Sequence, residues 1–182
     1  MGLRPARAVR TFSNPPYTRV AHRVMKKAFI RGVPGSKMHT FQTGKRAIYE
    51  HKVILISKEK LFLRHNQLEA ARVAANAYCA QKLGIEGYFL KVFVYPHQVL
   101  RENALATGAG ADRFQSGMAR SFGKPVSTAA MVKDNTYIMG IWVPEGMLEI
   151  AKEAFKRAAI RLSAKTQVIA THGKFDTKKV EK

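Results

Sequence analysis

The chain has 182 residues, 46% of them apolar, and its 32 Lys and Arg against 12 Asp and Glu give a formal net charge of +20. This composition excludes a chain that is disordered throughout, and the length suits one domain with a core, alone or with an extension. A compact body this positive repels itself unless a polyanion neutralises it. Nucleic acid is therefore the first expected partner, and an acidic membrane surface the second.

The N-terminal third carries most of this charge. Residues 1–65 contain 15 Lys and Arg but only two acidic residues, Glu50 and Glu59. Arginine forms forked hydrogen bonds with phosphate oxygens, and the interleaved Phe12, Tyr17 and Phe29 are able to stack on unpaired bases. An electrostatic membrane tether is disfavoured because this segment has no amphipathic apolar stripe. We predict that residues 1–35 form an irregular basic arm, and that RNA is bound by Arg4, Arg7, Arg10, Arg19, Arg23, Lys26, Lys27, Arg31, Lys37, Lys45 and Arg46.

Residues 36–172 predict a single domain of alternating strands and helices, followed by a polar tail at 173–182. Asn66 and Gly84 are the expected caps of the first helix, and Pro96 and Pro144 are expected to stop strands. The order predicts an α+β fold, a mixed-sheet α/β sandwich with two packed helices. The expected strands are 38–41, 53–57, 88–95, 137–143 and 166–171, and the expected helices are 66–83 and 146–162.

A glycine-rich segment separates the two halves of this domain. Residues 101–125 include ATGAGADRFQSGMARSFGKP and contain no run of large apolar residues. Loops of this length without structure of their own are usually functional or disordered, so we predict a mobile loop. A dinucleotide fingerprint is disfavoured, because Arg113 stands where G-x-G-x-x-G needs its third glycine.

Catalytic and metal-binding patterns are weak. No two histidines have helical spacing, so a metal site would need distant residues to converge, and the single cysteine, Cys79, excludes a cysteine-based zinc site within one chain. No G-x-S-x-G elbow occurs, and Glu149 and Glu153 lie among basic residues as on a solvated, salt-bridged helix face. We therefore expect no catalytic residue, metal or cofactor. An apolar signal segment and a run of about 18 apolar residues are also lacking, so a cytoplasmic protein without membrane contact is expected.

Three segments resemble a known family. GLRPAR (2–7), EAARVAANAY (69–78) and AGADRFQSGMARSFGKP (109–125) are similar to the large-subunit ribosomal protein that archaea and eukaryotes call "L ten e", whose bacterial counterpart is "L sixteen". The similarity covers nearly the whole chain. The short C-terminal tail and the lack of extra cysteines near the N-terminus resemble the archaeal members.

The resemblance implies a structural protein, one copy per large subunit, that binds large-subunit rRNA and touches tRNA and neighbouring ribosomal proteins. It implies that the central loop helps position tRNA near the peptidyl-transferase centre during translation. Two alternatives stay open from the residues alone: a free-standing RNA-binding factor or RNA chaperone, and an enzyme that acts on RNA. The resemblance implies a tRNA-facing loop with Arg101, Gly108, Gly110, Arg113, Gly117, Arg120 and Lys124.

Overall fold

Two antiparallel sheets and two helices make up the described part of the chain in a computed structural model. The structure describes residues 24–28, 30, 32–103, 105, 106, 108–110, 117–119 and 122–177. A short 3₁₀ turn (Met25–Lys27) comes first. It is followed by β1 (Gln42–Gly44), β2 (Ile48–Ser57), β3 (Leu61–Arg64), α1 (His65–Leu83), β4 (Phe89–Val92), β5 (Gln98–Glu102), β6 (Lys124–Val132), β7 (Tyr137–Val143), α2 (Leu148–Leu162) and β8 (Thr166–Asp176).

The larger sheet has the strand order β1-β4-β7-β2-β8, and the smaller has the order β3-β6-β5. β2 lies between β7 and β8 and pairs with both, so that Ile54 is opposite Gly140 on one side and Ile169 on the other. The run Val53–Ser57 is buried on both faces of the sheet, which suits its β-branched and apolar side chains.

The two helices pack against each other, α2 also lies against β2, β7 and β8 of the larger sheet, and α1 lies against β3 and β6 of the smaller sheet. Their buried faces join one main core. The buried face of α1 carries Leu68, Ala71, Ala75 and Cys79, as its helical spacing predicts. α2 buries Phe155 and Leu162 together with three alanines, and these small side chains let the helix backbones approach closely. Arg157 of α2 covers the ring of Tyr78 of α1, with its guanidinium carbon 4.1 Å from the ring centroid.

A second, aromatic cluster lies apart from the main core. Tyr49, Phe89 and Trp142 are buried together, and Phe93 and Phe175 pack against them. The Lys52 ammonium lies 5.5 Å from the centroid of the Trp142 ring. Burial lowers the pKa of Lys52, because desolvation disfavours its charged form.

The α+β class with two packed helices is confirmed, but the strand pairing differs from the expected mixed sheet. Every strand pair in the described residues is antiparallel. β7 and β8 are joined by α2, as in a parallel crossover unit, but β2 occupies the position between them. Each of the two strands therefore pairs with β2, in the antiparallel sense, instead of with the other.

Several element boundaries also differ from the sequence-based expectation. The short strand expected at 38–41 lies at Gln42–Gly44, the strand expected to run to 95 ends at Val92, and α2 begins at Leu148. β8 continues to Asp176, beyond the expected start of the polar tail, because Phe175 is drawn into the aromatic cluster. The strands β3, β5 and β6 were not expected.

The start of α1 differs as well, whereas its end is as predicted. Asn66 was the expected cap, but the helix begins at His65, where the side-chain oxygen of Gln67 accepts a hydrogen bond from the Arg64 N–H at 3.0 Å. At the other end, the Gly84 N–H donates to the carbonyl of Ala80 at 3.0 Å. Neither helix has the length and apolar character needed to cross a bilayer, a statement that covers the described residues.

Candidate nucleic-acid interface

Five of the eleven residues predicted to bind rRNA lie in the described part of the chain, and all five are exposed. Lys26 and Lys27 belong to the 3₁₀ turn, Lys37 lies in the irregular segment that follows, and Lys45 and Arg46 lie between β1 and β2. The remaining six are outside the described residues: Arg4, Arg7, Arg10, Arg19, Arg23 and Arg31. The aromatic residues Phe12, Tyr17 and Phe29 are outside them too.

The connection between β1 and β2 holds its backbone firmly while it exposes two cationic side chains. The Lys45 N–H donates to the Tyr88 carbonyl at 3.0 Å, and the Tyr49 hydroxyl donates to the Lys45 carbonyl at 2.7 Å. Gly44 has φ = 93°, and a Cβ there would collide with the Tyr88 carbonyl oxygen. Only glycine fits this close approach. Lys45 and Arg46 are thus presented from a fixed base.

Lys45 has an acidic partner that the sequence did not indicate. Its ammonium lies 2.8 Å from a carboxylate oxygen of Glu86, and both side chains are mostly exposed. The hydrogen bond to Glu86 and the charge of its carboxylate raise the pKa of Lys45, and the same contact lowers the pKa of Glu86. Exposed ion pairs are weak, so a phosphate group is able to replace the carboxylate.

The base of the glycine-rich loop is a hairpin stem. β5 and β6 pair from Gln98↔Ala129 to Glu102↔Lys124, so the connection between them runs from 103 to 123. The guanidinium carbon of Arg101 lies 3.5 Å from the centroid of the Phe122 ring, and its Nη1 donates to the Phe122 carbonyl at 2.9 Å. Arg101 therefore ties the outgoing strand to the returning chain, whereas Lys124 is exposed.

Glycines appear in this loop for two different reasons. Gly108, Gly110 and Gly117 have φ values of 122°, 83° and 57°, and open space surrounds the position that a Cβ would take. Gly123 has φ = 78°, and a Cβ there would lie 2.9 Å from the Glu102 carbonyl carbon. The first three permit the turns of the loop, and Gly123 permits the two arms of the stem to approach. Arg113 and Arg120 are outside the described residues.

A buried histidine, His65, contacts both the chain at Lys37 and strand β6 of the smaller sheet. His65 is 6% exposed; its Nδ1 lies 3.0 Å from the Thr128 hydroxyl and 3.4 Å from the Lys37 backbone nitrogen. Burial lowers the pKa of His65, and the charges of Lys37 and Arg64 lower it further. His65 therefore serves packing in its neutral form, and its contacts with Lys37 and Thr128 fix the chain that leads to the exposed Lys37.

Two other histidines do converge from distant parts of the sequence. Across the β2–β8 pair, Nδ1 of His51 lies 2.9 Å from Nδ1 of His172. Within the described ranges, no group of three or more His, Cys, Asp or Glu side chains is placed to hold a metal ion. The predicted salt-bridged face of α2 is confirmed, since Lys152 binds Glu149 at 2.8 Å and Lys156 binds Glu153 at 3.6 Å.

Comparison with known proteins adds the decisive observation. The family model described as ribosomal protein L16p/L10e matches residues 14–169, which include most of the basic segment and all of the loop. The chain belongs to this family. It is 45% identical over 170 residues to a Staphylothermus marinus protein, 42% over 174 to one from Archaeoglobus fulgidus, and 43% over 176 to one from Methanocella arvoryzae. These alignments cover 93–95% of this chain and 94–97% of the relatives, each named large ribosomal subunit protein uL16.

As a member of the L16p/L10e family, the chain is a structural component of the ribosome and not an enzyme. The surroundings of the acidic side chains of α2 and of the single thiol agree with this. Glu149 and Glu153 are engaged by lysines, and Cys79 is fully buried in the main core. Burial raises the pKa of the Cys79 thiol to about 12, so the reactive thiolate is suppressed.

Sequence reasoning missed several residues that shape this surface in the L16p/L10e fold. Glu86 and Phe122 were not singled out, although each contacts a predicted site residue. A row of three rings formed by Phe41, Tyr95 and His97 was also missed. The available signal was the pair of ring residues around Pro96, directly after an apolar run; Tyr95 was instead assigned to the end of the expected strand 88–95.

Proposed function

We propose that this chain is a constituent of the large ribosomal subunit that binds large-subunit rRNA through its basic residues. The proposal rests chiefly on the family match, because it spans residues 14–169 and the relatives carry the name of a large-subunit protein. The net charge of +20 supports it, since a polyanion is needed to neutralise so positive a body. One copy per subunit, surrounded by rRNA and neighbouring ribosomal proteins, is the expected setting.

The connection between β1 and β2 supports phosphate binding in particular. Lys45 and Arg46 project from a backbone that Tyr88 and Tyr49 hold in place, so little backbone freedom is lost on binding. Phosphate contacts of this kind fix the position of a protein on RNA without reading its sequence. Lys26, Lys27 and Lys37 are exposed on the chain that precedes this connection.

The proposal includes a role for the loop between β5 and β6 in positioning tRNA near the peptidyl-transferase centre. The stem is held by strand pairs and by the contact of Arg101 with Phe122, and the glycines beyond it have open surroundings. A loop that must release tRNA in every cycle should not hold it tightly. Over 101–125 two acidic residues, Glu102 and Asp112, partly offset four basic ones, which suits contact followed by release.

A salt titration of binding to large-subunit rRNA and to a length-matched control RNA tests the proposal. A strong preference for the rRNA that persists above about 0.2 M salt is expected, because nonspecific phosphate binding falls steeply there. Equal and steeply salt-sensitive binding to both RNAs would instead identify a general RNA-binding factor or chaperone.

The variant Lys45→Ala/Arg46→Ala makes the titration specific to the connection between β1 and β2. If each residue neutralises one phosphate, the slope of log K against log salt should become shallower by roughly 1.4 to 1.8. The matched control, Lys152→Ala/Lys156→Ala, removes the same charge from the ion-paired face of α2 and should retain the wild-type slope. A wild-type slope for Lys45→Ala/Arg46→Ala would show that these two residues do not contact phosphates.

A further inference from the structure

The connection between β4 and β5 presents two exposed rings, of which Tyr95 is stacked on Phe41 and His97 is tilted against Tyr95. The rings of Phe41 and Tyr95 are nearly parallel, with centroids 5.3 Å apart and an interplanar angle of 23°. Tyr95 also contacts His97, with centroids 4.6 Å apart and an angle of 48°. Phe41 packs against the main core, whereas Tyr95 is 51% exposed and His97 is exposed. The row therefore runs from the core to the surface.

The backbone around this row is fixed. The Val92 N–H donates to the Phe41 carbonyl at 2.8 Å, and the Phe93 N–H donates to the Ile138 carbonyl at 2.9 Å. The His97 N–H donates to the Tyr95 carbonyl at 3.0 Å across the buried Pro96. Because the rings are held before any partner arrives, a flat ligand stacking on them would lose little free energy to ordering the protein.

We propose that Tyr95 and His97 form a stacking platform for an unpaired nucleobase of RNA. A base is a flat ring that continues such a row, and unpaired bases in RNA loops and bulges are commonly bound by stacking on aromatic and histidine side chains. The strong positive charge of the chain selects a polyanion over an apolar peptide as the occupant. The platform rests on the proposed function, because it supplies a base contact within the RNA interface where Lys45 and Arg46 supply phosphate contacts.

The test compares ring-removing and ring-retaining variants of the full chain in binding to large-subunit rRNA. Tyr95→Leu/His97→Leu should weaken binding roughly 5- to 150-fold, the range found when stacking side chains are removed. Its salt dependence should keep the wild-type slope, because no phosphate contact is lost. Tyr95→Phe/His97→Phe should bind as the wild type does. Tyr137→Leu, which removes a tyrosine that is 52% exposed on β7, is the matched control and should have no effect.

A short single-stranded oligoribonucleotide that contains 2-aminopurine gives a direct readout of stacking. Its fluorescence should be quenched by the wild-type chain and by Tyr95→Phe/His97→Phe, and much less by Tyr95→Leu/His97→Leu. Circular dichroism and thermal unfolding of each variant separate lost stacking from lost folding.

Each remaining outcome has a distinct meaning. If the wild-type chain prefers rRNA and Tyr95→Leu/His97→Leu binds it equally well, the platform is wrong while the proposed function stands. If that variant binds rRNA normally but enters subunits poorly, the rings contact a protein and the proposal is overturned. If the wild-type chain shows no preference for rRNA, the proposed function fails, and quenching that depends on Tyr95 and His97 would still support a base platform.

Discussion

At the scale of single residues, the buried His65 makes the stability of the fold depend on pH. It is buried between the Lys37 backbone nitrogen and the Thr128 hydroxyl, with the positive charges of Lys37 and Arg64 acting on it. Burial and these charges lower its pKa below the ordinary value of 6.5. Protonation would therefore bring a further positive charge into a site that already has two nearby.

This environment predicts a loss of stability on mild acidification. Between the lowered pKa of the folded state and 6.5, the unfolded chain binds more protons at this residue, so the free energy of unfolding rises with pH. The contribution of His65 is complete above pH 6.5 and is lost as the pH falls below it. Urea unfolding across this range should show a weaker pH dependence for His65→Gln than for the wild type.

The exposed His39 provides the control for this effect. His39→Gln removes a histidine near the same segment but outside the core, so its unfolding should follow the wild-type pH dependence. An equally steep pH dependence in His65→Gln would assign the acid sensitivity to other groups.

At the scale of elements, the stem of the β5–β6 hairpin is part of the packed domain, whereas its loop contributes little to that packing. The strand pairs reach Glu102 and Lys124, and the Arg101–Phe122 contact lies at the top of the stem. Gly108, Gly110 and Gly117 each have open space at the Cβ position. The described part of the loop beyond the stem therefore adds little to the packing of the domain.

Deletion of Gly108 to Gly117 should consequently leave the fold intact. Shortening the connection changes the entropy of loop closure by only about 0.5 kcal/mol, in the stabilising direction. Urea unfolding should remain close to that of the wild type, and subunits that contain the shortened chain should be impaired in tRNA-dependent steps. A large fall in unfolding free energy would show instead that the loop supports the domain.

At the scale of the whole molecule, the reactivity of the Cys79 thiol is a measure of whether the core is folded. The thiol lies where α1 meets the remainder of the main core, has no exposed surface, and has a pKa raised to about 12. Because the thiolate is the reactive form, both access and ionisation are suppressed in the folded chain.

Labelling of Cys79 with a disulfide reagent near pH 8 should therefore follow global unfolding. The native chain should react at least about 10³-fold more slowly than the chain in urea. Addition of large-subunit rRNA should slow the native reaction further, because a ligand that binds the folded state lowers the unfolded population. Rapid labelling without denaturant would reveal a local opening of α1 that the packing does not suggest.

The elements that the sequence predicted best are those with a sustained apolar period. The buried faces of α1 and α2 and the run Val53–Ser57 were expected because many residues contribute to each pattern. β3 has only four residues, which is too short for a recognisable pattern, and β6 begins with three exposed positions, Lys124–Val126, that include a proline. β8 reaches Asp176 only because Phe175 joins a cluster assembled from distant strands, which no local window contains.

For the candidate interface, the sequence identified charge but not partners. The exposure of Lys45 and Arg46 was expected, whereas the Lys45–Glu86 ion pair joins residues that are far apart in the chain. The contact of Arg101 with Phe122 depends on the β5–β6 register, and the row of Phe41, Tyr95 and His97 depends on how β1 and β4 meet. Such contacts follow from topology, so sequence spacing alone could not supply them.

The central position of β2 determines when a newly made chain is able to complete its larger sheet. Among the described residues this early strand, with its apolar stretch Val53–Ile56, pairs with β7 and β8 alone, and both follow it by about 80 residues or more. Contacts of such long sequence separation close slowly, and an unpaired apolar strand invites association with other chains. The nascent protein therefore carries β2 without these partners until the residues of β7 and β8 have been made, and that interval is when it most needs protection from aggregation.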